Sequence, residues 1–438
     1  MGMTRPRLPA RPVVLPHPMK KTPPVPTAKK PAHPASAKTP VWKISPSNGK
    51  YFVNSVAVSA DGGKVVGGTF YYKYSTTQSR HKSGRNPVAA DVTSETGTFG
   101  TYCYNQSGHL LWKNEFAGWQ GIYWVAISAD ASRAASGGWF SESPKAGFVR
   151  GFDAKSGQLL LDYRTKTRVN QVVLSRDGTW LVSAAETLVL FRFDAGTGGY
   201  VKSDEFTPTT SPHAGTGAGG VVSVGISADG GTVIFADYAG HLGVFANTAG
   251  KLKLRQQWTL PASFSHMVAL TADGKAFAAG GASGSFYLCN TEKFVADGKP
   301  TYTYNTGLAE AVYGVALAQD GSVFVGVVNS GEAGSVYVVA IVDFAPQLQC
   351  KFPTARNPNS ASLNLAPGLL AVADGHPDGT PGHFYLFDGI TGGGVPITVA
   401  ALRWQYQTAN MSWPITISAD GKAVVAGSDD SYLYYFTP

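Results

Sequence analysis

One phrase returns eight times along the chain, two aliphatic residues two apart followed by a tight polar turn, and it constrains the fold more than any other feature. The copies begin at Val56, Val125, Val172, Val224, Val268, Val315, Leu363 and Ile415. Their turns carry Asp61, Asp130, Asp177, Asp229, Asp273, Asp320 and Asp420, with Gly368 in place of Asp in the seventh copy. From Asp130 to Asp320 the spacings are 47, 52, 44 and 47 residues, which suits one four-stranded unit per repeat.

Alternation with period two marks the aliphatic pair as a strand. The residue between is usually small (Ala57, Ala126, Gly225, Ala269, Ala316), as an innermost strand squeezed between neighbouring sheets requires. Asp then accepts a local backbone bond and Gly takes positive φ, so the chain reverses. A second strand follows, then a third rich in aromatics such as Phe148 to Phe152 and Leu188 to Phe193, then an Asn/Asp-to-Gly turn and an outer strand such as Leu110-Leu111-Trp112. Regular turn signals at this interval are an all-β signature. The expected fold is therefore all-β, an eight-bladed β-propeller of four-stranded antiparallel blades over residues 39–438. The chain stops in the third strand of the last blade, Tyr432 to Phe436, and Thr39-Pro40-Val41-Trp42 is expected to supply the missing outer strand and close the ring.

The run Ile417-Ser418-Ala419-Asp420-Gly421-Lys422 through Gly427-Ser428-Asp429-Asp430-Ser431-Tyr432-Leu433 resembles a WD40-type repeat. The Gly-His pair and terminal Trp-Asp of regular WD40 repeats are absent or eroded. The repeats also resemble quinoprotein-like (PQQ-like) propellers, in which eight blades are usual and an outer-strand Trp recurs; Trp112 and Trp404 fit that pattern, and most other blades depart from it. Both resemblances imply a propeller and neither implies one activity.

Charge is distributed unevenly. Residues 1–40 hold eleven prolines and no acidic residue, so residues 1–38 read as a basic, extended arm that builds no core. Nine of the 36 basic residues and none of the 28 acidic ones lie in the first 43 positions, which leaves a nearly neutral remainder. Such an arm invites an acidic partner, whether nucleic acid, an anionic membrane face or an acidic protein groove, or else serves as a solvated linker. No stretch has the length of an apolar membrane span and the start lacks a secretory signal, so the sequence reads as cytoplasmic. Cys103, Cys289 and Cys350 are odd in number and in no metal-ligand spacing.

In a propeller, the residues entering the first strand of each blade surround a central mouth. Here they are Asn54, Tyr123 with Trp124, Asn170, Val222, His266, Tyr313, Ala361 and Trp413. This set of aromatic, amide and imidazole groups can hold a small ligand or peptide, or simply line a water-filled channel. The longest insertion, about residues 71–97, carries Tyr72, Tyr74, Arg80 and Arg85, rings and cations that suit an acidic peptide, a glycan or single-stranded nucleic acid. The segment Asp374-Gly375-His376-Pro377-Asp378-Gly379 with His383 reads as a turn before it reads as a metal site. Gly215 to Gly220 satisfies GxGxxG but precedes a strand, so no helix N-terminus awaits a phosphate there.

HExxH, CxxC, GxSxG and an adjacent cysteine pair are all missing from the sequence. Few ionisable groups converge at the mouth, so the leading expectation is a non-enzymatic scaffold that presents one face to protein partners, without cofactor or metal, and uses the arm as a second contact. The alternatives are a quinoprotein-like or hydrolytic propeller working through the mouth, and a nucleic-acid-associated protein working through the arm.

Overall fold

The computed structural model describes residues 36–71, 73–74, 92–93, 96–141, 145–208, 220–261, 265–281, 284–308, 311–330, 333–343, 345–391 and 401–438. These residues are overwhelmingly β, arranged in successive four-stranded antiparallel sheets. Repeat three forms Gln171–Leu174, Trp180–Ala184, Leu188–Asp194 and Gly199–Phe206, and repeats four, five and six follow the same strand order. Repeats one and two have their own four strands and are joined by a single pairing of Phe70 with Gly121. Trp42–Ile44 pairs antiparallel with Leu433–Phe436 as the fourth strand of the last repeat. Ser36–Ala37 runs parallel to the outer strand of repeat seven, Ser36 opposite Trp404 and Ala37 opposite Gln405.

Each innermost strand packs on that of the next repeat, and Phe52–Val58 meets Ser412–Ile417. The core is accordingly layered between sheets. Val66, Cys103 and Trp112 of repeat one bury against Ile122, Val125, Phe148 and Phe152 of repeat two. Tyr102, Tyr104 and Val65 bury against Val425, Leu433 and Tyr435 of repeat eight. Second-strand glycines permit this approach, since a Cβ at Gly68 would strike Ile122 and one at Gly137 would strike Val169.

The repeated turn performs two tasks. Its Asp accepts the hydroxyl two residues earlier, at 2.6 Å for Ser59–Asp61, 2.8 Å for Ser175–Asp177 and 2.5 Å for Ser227–Asp229. Its backbone links neighbouring repeats: Ala60 N–H donates to Ala129 O (3.1 Å), Arg176 N–H to Ala228 O (3.0 Å) and Ala228 N–H to Ala272 O (2.7 Å).

Two expectations change. In most repeats the second residue of the aliphatic pair lies opposite the residue seven positions on, as Val58 does Val65 and Ile417 does Val424. In repeat seven Leu363 holds that place, opposite Leu370, so the copy begins at Ala361 and not at Leu363. The degenerate turn, Ala366-Pro367-Gly368, carries no Asp to mark its register. In repeat five a helix, Thr291–Asp297, replaces the short turn before the outer strand, with Asn290 capping its start through Lys293 N–H and Gly298 ending it at φ 67°.

Candidate functional site

Most of the residues entering the first strands share a backbone device, Asn170 and His266 excepted. Val53 faces Thr69 and Ser55 faces Gly68, which leaves Asn54 as an extra residue. Tyr123, Val222 and Tyr313 are extra in the same way, and Trp413 lies in the corresponding bulge before Ile415. A bulge frees its residue from period-two alternation and re-aims the side chain. With the corrected register the bulged residue of repeat seven is Asn359, in place of Ala361.

Three of these residues are asparagines that reach the next repeat. Asn54 Nδ2 donates to Tyr123 O at 3.1 Å, Asn170 Nδ2 to Val221 O at 2.7 Å, and Asn359 Nδ2 to Ser412 O at 2.8 Å and Gly375 O at 3.2 Å. All three are buried. Their amides therefore hold backbone carbonyls that would otherwise lack partners away from water. Between repeats five and six the equivalent contact is aromatic, with the His266 and Tyr313 rings stacked at 4.6 Å and 8°. His266 keeps an accessible edge but is otherwise surrounded by protein, and the resulting desolvation lowers its pKa to about 4. It is neutral at physiological pH.

A charged residue beside these groups, Arg168, is one that sequence reasoning missed. It lies two residues before Asn170, half-buried. Its Nε and Nη2 both donate to Asn170 Oδ1 at 3.2 Å, and its guanidinium carbon lies 3.9 Å from the Tyr123 ring centre and 6.0 Å from that of Trp139. Burial pushes the Tyr238 hydroxyl up to about 12, opposed by Arg168, which hydrogen-bonds it. Among the described residues no carboxylate lies within ion-pair distance of Arg168, although Arg133, Arg150, Arg255 and Arg403 each have one. Nearby Glu186 accepts the Lys166 and Thr167 amides and the Thr167 hydroxyl instead.

The other candidates separate. Trp124 packs against the core layer between repeats two and three. Trp413 is half-buried, and its carbonyl accepts the Ser360 hydroxyl at 2.6 Å. Of the insertion, Lys73–Tyr74 pairs with Val92–Thr93, while Tyr72, Arg80 and Arg85 lie outside the described residues, as does the side chain of Tyr74. Asp374 is fully buried and is used structurally: His383 Nδ1 lies 3.0 Å from it, and the Tyr385 hydroxyl (2.7 Å) and Arg356 N–H (2.9 Å) donate to it. No His/Cys/Asp/Glu group among the described residues could hold a metal ion. All three cysteines are free and buried, and desolvation raises the Cys103 and Cys350 thiols to about 12. A cleft of about 640 Å³ lies between Thr96–Thr98, Ala117–Trp119 and Phe140–Ser141.

These successive four-stranded antiparallel sheets have the fold of a β-propeller. Among solved structures the chain is similar to Sqt1 of Chaetomium thermophilum, determined bound to the N-terminus of the ribosomal protein L10. The likeness has a TM-score of 0.66 at 14% identity and covers 92% of this chain and 100% of that one. It bears on the WD40 resemblance and lends nothing to the quinoprotein one. No family model and no curated protein matches the sequence. No helix among the described residues is long and apolar enough to cross a membrane.

Proposed function

We propose that this protein is a non-enzymatic scaffold, an eight-bladed propeller that presents its bulge-bearing end to a protein partner. The observation that carries the reading is the likeness to a propeller solved with a segment of another protein bound. At 14% identity that likeness supports the frame and leaves the choice of partner to this chain's own residues. A closed ring of eight is supported by the pairing of Trp42–Ile44 with the last strand and by the Asp420 N–H bond to Ala60 O. Closure would remove two sheet edges and hold the bulged residues around one mouth.

The basic segment 1–38 acts in this reading as a second contact or tether, so that two modest interactions on one chain reinforce each other. The scaffold works in the cytoplasm, a reading supported by three free, buried cysteines. Catalysis at the mouth would need acid–base groups, whereas among the described residues the His266 imidazole is held neutral and Arg168 is tied to Asn170.

The test is affinity purification of the tagged full-length protein from its native host, with nuclease treatment and a form lacking residues 1–38 in parallel. The expected result is one recurrent, nuclease-resistant protein partner whose recovery falls with the arm removed. A partner-free monomer would overturn the scaffold reading, and recovery lost to nuclease would replace it with nucleic-acid association.

A further inference from the structure

Arg168 differs from the other arginines for which an ion pair is described. It is half-buried and has no carboxylate partner among the described residues, yet it is held firmly. Asn170 fixes two of its donors through Oδ1, and Asn170 is itself fixed by its bond to Val221 O. Tyr123 supports the flat face of the guanidinium. Three repeats thus position one cation: repeat two through Tyr123, repeat three through Asn170 and repeat four through Val221 and Tyr238. The bulged residues themselves carry no charge, since the set is Asn54, Tyr123, Val222, Tyr313, Asn359 and Trp413, with His266 neutral beside them.

A guanidinium is chosen for planar, bidentate recognition of a carboxylate, and pre-organisation reduces what is lost when the bond forms. A purely structural strut would not need a charge; an uncompensated cation, partly removed from water, is costly unless something pairs with it. The carboxylate of Glu186 already serves the backbone of Lys166 and Thr167.

We propose that Arg168 anchors an acidic side chain, Asp or Glu, of an extended partner segment crossing the bulge-bearing end of the propeller. This rests on the scaffold reading and adds the charge and anchoring residue of the partner. The half-buried guanidinium receives the carboxylate, and the aromatic and amide groups around it contact the flanking backbone.

The test is selection of random peptides of about twelve residues, fused at both ends so that only side-chain carboxylates are present, against the full chain at low ionic strength. Wild type, Arg168→Gln and Arg168→Lys are compared, each checked by circular dichroism and thermal melting. The wild-type pool is expected to share one aligned Asp or Glu. Replacing that residue by Asn or Gln should weaken binding by about tenfold or more, and Arg168→Gln should do the same with no further loss when the two changes are combined. The peptide series on wild-type protein tests the proposal even where a variant fails to fold. A pool without an aligned acidic position, no pool at all, or equal binding by Arg168→Gln overturns it. A non-acidic pool would leave the scaffold reading standing, which the purification experiment judges separately.

Discussion

The amide of Asp420 donates to the carbonyl of Ala60 at 2.9 Å, tying the turn of the eighth repeat to that of the first. The bond has the same character as those linking the turns of repeats one to two and three to five. One short motif therefore serves both as a local turn and as the joint between units far apart in the chain. Repeat arrays draw their stability from such neighbour interfaces, so loss of a joint is felt beyond the repeat that carries it.

Trp42 fastens the N-terminal strand. Its ring stacks on Tyr435 at 5.3 Å and its Nε1 donates to Gln106 O at 3.0 Å, reaching repeats eight and one together. Trp42→Ala should lower the free energy of unfolding by about 2–3 kcal/mol in urea titrations. A change below about 0.5 kcal/mol would mean that this strand contributes little to stability.

Asn359→Ala removes the donor to Ser412 O and Gly375 O in a buried site. Leaving those carbonyls unpaired should cost about 1–3 kcal/mol. Ala361, the residue that the uncorrected register would have singled out, should accept Ser with a change of less than about 1 kcal/mol. Comparing the two variants by chemical denaturation checks the register directly.

The imidazole of His266 should titrate near pH 4 when followed by NMR, because desolvation holds its pKa at about 4 in the folded chain. Unfolded histidine titrates near 6.5, so the folded state binds the proton less well. Its contribution to stability is therefore complete above about pH 6.5 and lost as the pH falls from there towards 4, by an amount on the order of 3 kcal/mol. A midpoint near 6.5 would contradict the enclosed setting beside Tyr313.

Asp229 accepts the Ser227 hydroxyl at 2.5 Å and the Gly231 N–H at 2.9 Å, and these bonds, in that order, lower its pKa. Asp61 is lowered in the same way by Ser59 and Gly63. A depressed carboxyl stabilises the fold above its unfolded pKa and loses that contribution as the pH falls through the folded value. Asp229→Ala should cost about 1–2 kcal/mol at neutral pH. Its difference from wild type should shrink on acidification below about pH 4, as followed by urea titration across pH.

The repeated pairs Val56/Val58 to Ile415/Ile417 and their Asp-Gly turns were legible in the sequence because strand alternation and turn chemistry are properties of a few adjacent residues. Repeat seven escaped by two residues because Pro367-Gly368 reverses the chain without an Asp, and pairing alone placed Leu363 opposite Leu370. The helix Thr291–Asp297 left only the capping pattern from Asn290 to Gly298 as a signal. Arg168 left less: it follows no period, and its position before Asn170 acquires meaning only when Tyr123 and Tyr238 arrive from neighbouring repeats.

What the sequence determined by itself was the unit, since hydrophobic alternation and turn residues act over distances that the local chain spans. What only the tertiary structure decided was which side chains meet. Six of the eight repeats contribute a bulged residue, and the packing of sheet on sheet sets whether that residue stitches a neighbour, as Asn54 does, or supports a cation, as Tyr123 does.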